Sequence, residues 1–245
     1  MSLRPTLATA ERVLRQLRRD PRTLGLTFLV PAGLLALMRY ILDNQPATFD
    51  RIGGPLVGLF PFIVMFLITS IAMLRERTTG TLERLMSMPL AKIDLLAGYG
   101  LAFALVGAVQ ASITSAVGFG LLDLESEGAI WLVVLLAIAN ALLGMSLGLF
   151  LSAFATSEFQ AVQFLPAFIL PQLLLGGLFV PRNQMPRALE VVSDYLPLTY
   201  AYDALARVTA SGSYDGKLAR DIGIVAACIL LALVLGATTL RRRTA

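Results

Sequence analysis

Histidine is absent from this 245-residue chain, and cysteine occurs once, at Cys228. Without imidazole there is no histidine general base and no His-ligated metal. A lone thiol within an apolar run closes no disulfide and builds no cysteine metal site inside one chain. Charge is scarce as well, at 15% of residues against roughly 25% in soluble domains. A P-loop is also missing. The only Gly-Lys pair, Gly216 and Lys217, is followed by Leu218, and Ser211 stands where the first glycine belongs, so nucleotide phosphates find no cradle. The chain is expected to be no enzyme and to bind no cofactor or metal of its own.

What is abundant is apolar length. Hydrophobic residues make up 57% of the chain and the mean hydropathy is +0.76, which predicts an all-α integral membrane protein forming a single transmembrane domain over 1–245. Runs near the roughly 20 residues needed to cross a bilayer fall at 24–42, 53–74, 95–122, 129–154, 159–180 and 221–240. Before them, Leu3, Leu7, Ala10, Leu14 and Leu17 recur at helical spacing among Arg12, Arg15, Arg18 and Arg19. Residues 1–23 therefore read as a basic amphipathic helix on the membrane surface, not as a secretory signal.

Positive charge sets the expected orientation. With both termini in the cytoplasm, six Arg before the first span, four Lys/Arg in 75–94 and Arg241 to Arg243 lie inside. Arg51 and five basic residues of 181–220 lie outside. This topology also accounts for the pI near 9.6, so no nucleic-acid partner is expected. Segment 181–220 is too apolar for a plain loop and is broken by Pro197 into pieces too short to span. It reads as a re-entrant helical hairpin capping a pathway outside, with an interfacial helix pair as the alternative.

Gly144, Ser146 and Gly148 form a GxSxG pattern, but a nucleophilic serine needs a positioned base, and Lys92 sits near a predicted span boundary. Small-residue packing at Gly144, Gly148 and Ser152 explains it better. The spans hold almost no ionisable groups, which disfavours a stand-alone ion-coupled secondary transporter, the main alternative function. Arg39 lies near a span end, able to snorkel or to pair with Asp43, and Glu158 is placed to cap the fifth span. Pro31, Pro61, Pro166 and Pro171 interrupt spans, while Gly176 and Gly177 mark the turn into the hairpin.

Residues 75–94, RERTTGTLERLMSMPLAKID, stand apart from the rest. A Gly/Thr turn, a short amphipathic helix from Thr81 to Met88 and a stop at Pro89 give this segment more order than a linker needs. Its continuation to Tyr99, the segment LFVPRNQMPRALEVVSDYLPLTYAYDALARV at 178–208 and the six-span layout together resemble the type-2 ABC transporter permeases, in particular their drug-exporter, daunorubicin-resistance-like branch. One departure is Tyr99, where many members carry lysine after the glycine.

The resemblance implies two permease chains, alike or different, joined to two copies of a separate ABC ATPase subunit that holds the ATP and Mg. It assigns Arg75, Glu76, Gly80, Thr81, Leu82, Glu83, Arg84 and Leu85 to a cytoplasmic coupling helix seated in that ATPase. Glu83 and Arg84 offer charge for register; Leu82, Leu85 and Met86 offer an apolar contact face. Cargo, hydrophobic and drug-like or lipid-like, is expected at the dimer interface along Phe60, Phe62 and Phe66. Pro197, Tyr200 and Tyr202 are the expected external gate. The expected location is a bacterial inner membrane.

Overall fold

In the structure, a computed structural model, residues 3–87 and 91–239 are described, without the side chains of Met86 and Lys92. Met88 and Pro89, the expected end of the short helix, and Arg241 to Arg243, counted for orientation, lie outside the described residues. Among those described there is no strand. Six helical stretches are long and apolar enough to cross a membrane, at Pro21–Ile41, Pro46–Thr78, Ile93–Leu121, Ile130–Phe154, Glu158–Leu175 and Gly216–Thr238.

In chain order the helices are α1 (Leu3–Arg18), α2 (Pro21–Ile41), α3 (Pro46–Thr78), α4 (Thr81–Ser87), α5 (Lys92–Leu121), α6 (Ile130–Leu151), α7 (Glu158–Phe164), α8 (Leu170–Leu175), α9 (Arg187–Ser193), α10 (Pro197–Ser211) and α11 (Gly216–Thr238). A π-helical turn at Leu165–Ile169 joins α7 to α8. Local chemistry sets many of the boundaries. Asp20 accepts from the Thr23 N–H at 3.1 Å ahead of Pro21, a capping carboxylate followed by the residue whose missing N–H costs nothing at a helix start. Asp215 caps α11 through the Leu218 N–H at 3.0 Å, and Ser157 caps α7 through Gln160 at 3.2 Å. Gly212 closes α10 in the left-handed region, at φ 56°, where a side chain is disfavoured.

These caps move the expected span ends. The second span runs on through Arg75, Glu76 and Arg77 to Thr78, so those residues belong to a membrane helix and not to a loop. The fifth stops at Leu175 and not at 180, because Gly177 turns the chain at φ +100°. The sixth starts at Gly216, ahead of the expected 221, because Asp215 nucleates it.

The core is the α3–α6 pair, with α5, α10 and α11 around it. Gly144 and Gly148 put the α6 backbone against α3. A Cβ on Gly148 would stand 2.5 Å from the Phe66 carbonyl oxygen, and one on Gly144 would collide with that of Phe62. Thr69 Oγ1 donates here to the Met65 carbonyl at 2.7 Å and approaches that of Met145 across the gap at 3.2 Å. Ser146 bonds the Leu143 carbonyl at 2.9 Å and is buried. The glycine pattern is thus a packing device, as small residues at four-residue spacing permit. At the other extreme, 61% of the most apolar window in the second span is buried but only 11% of that in the fifth.

α1 packs into the bundle. Thr6, Thr9, Ala10 and Val13 are buried and the helix lies against α5, where Gly98 leaves room for the Thr6 carbonyl and the Thr9 side chain. Leu3 and Leu7 remain exposed.

Candidate functional site

The last turn of α3 gathers the end of the bundle that carries α1 and α4. Successive helix residues diverge by about 100°, so Arg75, Glu76 and Arg77 point to three different neighbours. Arg75 meets Glu158 at the start of α7 through two bonds, Nε to Oε1 at 2.6 Å and Nη2 to Oε2 at 3.1 Å. Glu76 turns inward, its side chain only 6% exposed, and accepts from Arg12 Nη1 of α1 at 3.1 Å. Arg12 also bonds the Tyr99 hydroxyl of α5 and lies over its ring. Arg77 Nη2 donates to Thr239 Oγ1, just past α11, at 3.4 Å. One helical turn therefore touches α1, α5, α7 and the end of α11.

The turn into α4 follows directly. Thr79 Oγ1 donates to the Arg75 carbonyl at 2.7 Å, and Gly80 takes φ +71° with open space where a Cβ would sit. Its glycine answers to backbone conformation, not crowding. α4 then presents Glu83 and Arg84 to the outside, while Leu82 is 4% exposed and joins the protein's own core, with Leu85 packed partly against it. The apolar side of α4 anchors the helix to this chain, which corrects the reading of Leu82 as contact surface for a partner. Glu158, expected as a cap, is an ion-pair partner; Ser157 holds the capping position.

Of the three phenylalanines expected along a path, Phe62 and Phe66 are buried inside the protomer against α6, and Phe60 is half-buried. This corrects the first two as lining of a path at the dimer interface, because this chain alone already covers them. Their helical spacing signalled an apolar face, which in α3 meets α6.

Pro197, Tyr200 and Tyr202 fall together at the start of α10, each half-buried. The Tyr200 hydroxyl donates to the Asp194 carbonyl at 2.6 Å. Around them lies an ion cluster that sequence periodicity did not reveal. Arg182 bridges Asp194 at 2.9 Å and Asp203 at 2.6 Å. Arg207 faces Asp215 at 3.5 Å and Asp221 at 3.8 Å, and Arg220 also meets Asp221 at 3.1 Å. Burial pushes the Asp203 carboxyl above its ordinary value, opposed by the nearby Arg182 charge, and it raises the Tyr202 phenol too. In the last turn of α2, Arg39 pairs with Asp43 at 3.4 Å, one of the two readings expected of it, and also reaches the Leu122 carbonyl at 3.3 Å.

The comparison with known proteins decides the family. The ABC-2 type transporter pattern matches residues 5–209. The chain belongs to the ABC-2 type transporter family. Among curated relatives, the probable multidrug ABC transporter permease YbhR of Escherichia coli is 26% identical over 153 residues, 62% of this chain and 42% of that protein. The linearmycin resistance permease protein LnrN of Bacillus subtilis is 24% identical over 175 residues, covering 69% and 43% respectively. ABC transporter G family member 20 of Dictyostelium discoideum is 28% identical over 163 residues, 66% of this chain and 22% of that protein. The chain spans less than half the length of each of these relatives. The match makes it a multi-pass membrane subunit of the ABC transporter kind.

Proposed function

We propose that this chain is the membrane half of an ATP-driven exporter of hydrophobic or amphipathic molecules, with ATP and Mg held by a separate ABC ATPase subunit. The observation that carries the reading is α4. It is anchored through Leu82 and offers Glu83 and Arg84 at the tip of the bundle, directly after the α3 turn that contacts α1, α5, α7 and the end of α11. A push delivered at α4 has short routes into several spans. ATP-driven closure of two ATPase copies would shift the permease between inward- and outward-accessible packings through their differential contacts with this end. Both termini then lie in the cytoplasm of a bacterial cell with the complex in its inner membrane.

A second permease chain fits against the fifth span. That span is largely uncovered, carries exposed Gln163 and has Pro166 in a π turn with Pro171 after it. Polar groups and interrupted helix at membrane depth are tolerated where protein or water covers them. Cargo would pass between the two chains, with Phe60 at the edge of the path and Pro197, Tyr200 and Tyr202 at its outer limit.

The test is reconstitution with the cognate ATPase. Glu83→Arg should leave the complex assembled but abolish permease-stimulated ATP hydrolysis and transport. Uptake by this chain alone, driven by an ion gradient, would sink the proposal.

A further inference from the structure

Between α1, the start of α2, the last turns of α3 and the first turns of α5 lies a cavity of about 230 Å³. Its upper walls are apolar, with Leu17, Ile68, Ile71 and Phe103; its other lining residues include Asp20, Arg75, Glu76 and Tyr99. This is ample for a small polar head and several methylenes, since one water occupies about 30 Å³.

The polar wall has an unused acceptor. Glu76 Oε1 takes the Arg12 bond, but Oε2 is buried without a hydrogen-bond partner. A carboxylate oxygen accepts and does not donate, so what would satisfy it is an N–H or O–H. Arg12 reaches Glu76 and Tyr99 through Nη1 and Nη2, while its Nε is buried without a partner and Arg12 does not line the cavity; Arg75 is engaged by Glu158. Asp20 adds a second carboxylate, held ionised below its ordinary value chiefly by hydrogen bonds from Thr23. Asp20, Glu76 and Glu158 thus face Arg12 and Arg75, which leaves one negative charge uncompensated in this wall and its ion-pair partners.

We propose that this cavity binds the protonated amine of an amphiphile, with an N–H donated to Glu76 Oε2 and the alkyl stem laid along Ile68, Ile71 and Phe103. Phe103 adds a ring on which a cation is favoured, that of Tyr99 already lying under Arg12. An alcohol fills the bond but not the charge; a quaternary amine fills the charge but not the bond. A sulfate head meets the wrong sign. The occupant is either an aminophospholipid of the membrane or a foreign amine, and both present the same chemistry. The site lies on α1, α2, α3 and α5 and meets the fifth span only through the Arg75–Glu158 pair. Binding to it is read without ATPase or transport, so its occupancy stands or falls separately from export.

The experiment is binding of radiolabelled dodecylamine to the full chain in nanodiscs of anionic phosphatidylglycerol, with empty discs subtracted. Saturable binding of one amine per chain is expected, weakened about tenfold in Glu76→Gln, as loss of a charge-assisted bond implies. Ala72→Phe fills the cavity from its wall while leaving both members of the Arg12–Glu76 pair in the chain, and should abolish binding. Dodecanol and dodecyl sulfate should compete at least about tenfold less well. Competition by phosphatidylethanolamine assigns the site to the aminolipid, and its failure assigns it to foreign amines. Competition by phosphatidylcholine or dodecanol equal to that of dodecylamine would overturn the proposal, as would wild-type binding in Ala72→Phe.

Discussion

Arg75 and Glu158, 83 positions apart in the chain, meet in a two-point ion pair that joins the end of α3 to the start of α7. Both side chains are more than half exposed, so the pair contributes little to stability, within ~1 kcal/mol. Its significance is positional, because α7 opens the least buried span. Arg75→Glu should lower coupled transport while shifting thermal unfolding by at most a few degrees, and the swap Arg75→Glu with Glu158→Arg should restore transport. A double variant no better than either single one would remove the pair from the coupling route.

Close approach of α6 to α3 gives a second expectation. Gly144→Ala or Gly148→Ala must push a methyl into backbone carbonyls, and such overpacking costs about 1–3 kcal/mol. Gly25 and Gly33 have open space around them, so alanine there should be near neutral, within ~0.5 kcal/mol. Melting curves of the four variants in one detergent decide it.

Asp221 is fully buried and shared by Arg207 and Arg220. Removing every partner of a buried charge leaves it uncompensated, at about 3 kcal/mol or more. Arg207→Ala leaves Arg220 on Asp221 and should therefore cost less than Arg207→Ala with Arg220→Ala, and Asp221→Asn combined with Arg207→Ala should cost less than the sum of the two singles. Additive effects in a double-mutant cycle would refute the coupling.

The Asp215 carboxyl is held below its ordinary value, chiefly by the Leu218 N–H and also by Arg207. A depressed carboxyl supplies stability above its unfolded pKa, near 3.9, and withdraws it as pH falls through the lower folded value. The acid limb of unfolding should therefore be shallower in Asp215→Asn than in the wild type. Identical acid limbs would show that the cap carries no linkage.

Leu82→Ala addresses α4 from its anchored side. A buried leucine lost from a core costs about 2–5 kcal/mol, but α4 is seven residues long and undocks locally. Faster hydrogen exchange over 81–87, with the six spans unchanged, is the expected signature. Unaltered exchange there would mean that Leu82 does not hold the helix.

Six spans were legible because apolar length is itself the signal, and the packing role of Gly144 and Gly148 because small residues at that spacing have few other uses. The ends were less legible. A helix continues through charge when each charged side chain finds a partner on another helix or just past one, as Arg75, Glu76 and Arg77 do, and it starts early where a carboxylate caps it, as Asp215 does. Contacts such as Arg12 with Glu76, separated by 64 positions, leave no mark in periodicity. Phe62 and Phe66 illustrate a different gap. Their spacing reports that one face of α3 is apolar, but only the partner helix decides whether that face meets a path or a neighbour.

The glycine seam between α3 and α6 also has a mechanical meaning. Where carbonyls already occupy the space a methyl would need, and Thr69 Oγ1 sits within reach of Met145 across the gap, axial sliding drives atoms into overlap long before it reaches one helical turn. The α3–α6 pair is therefore the fixed frame of this chain. If the proposed export moves any span past another, the first and fifth, the least covered of the six, are the ones expected to shift against it.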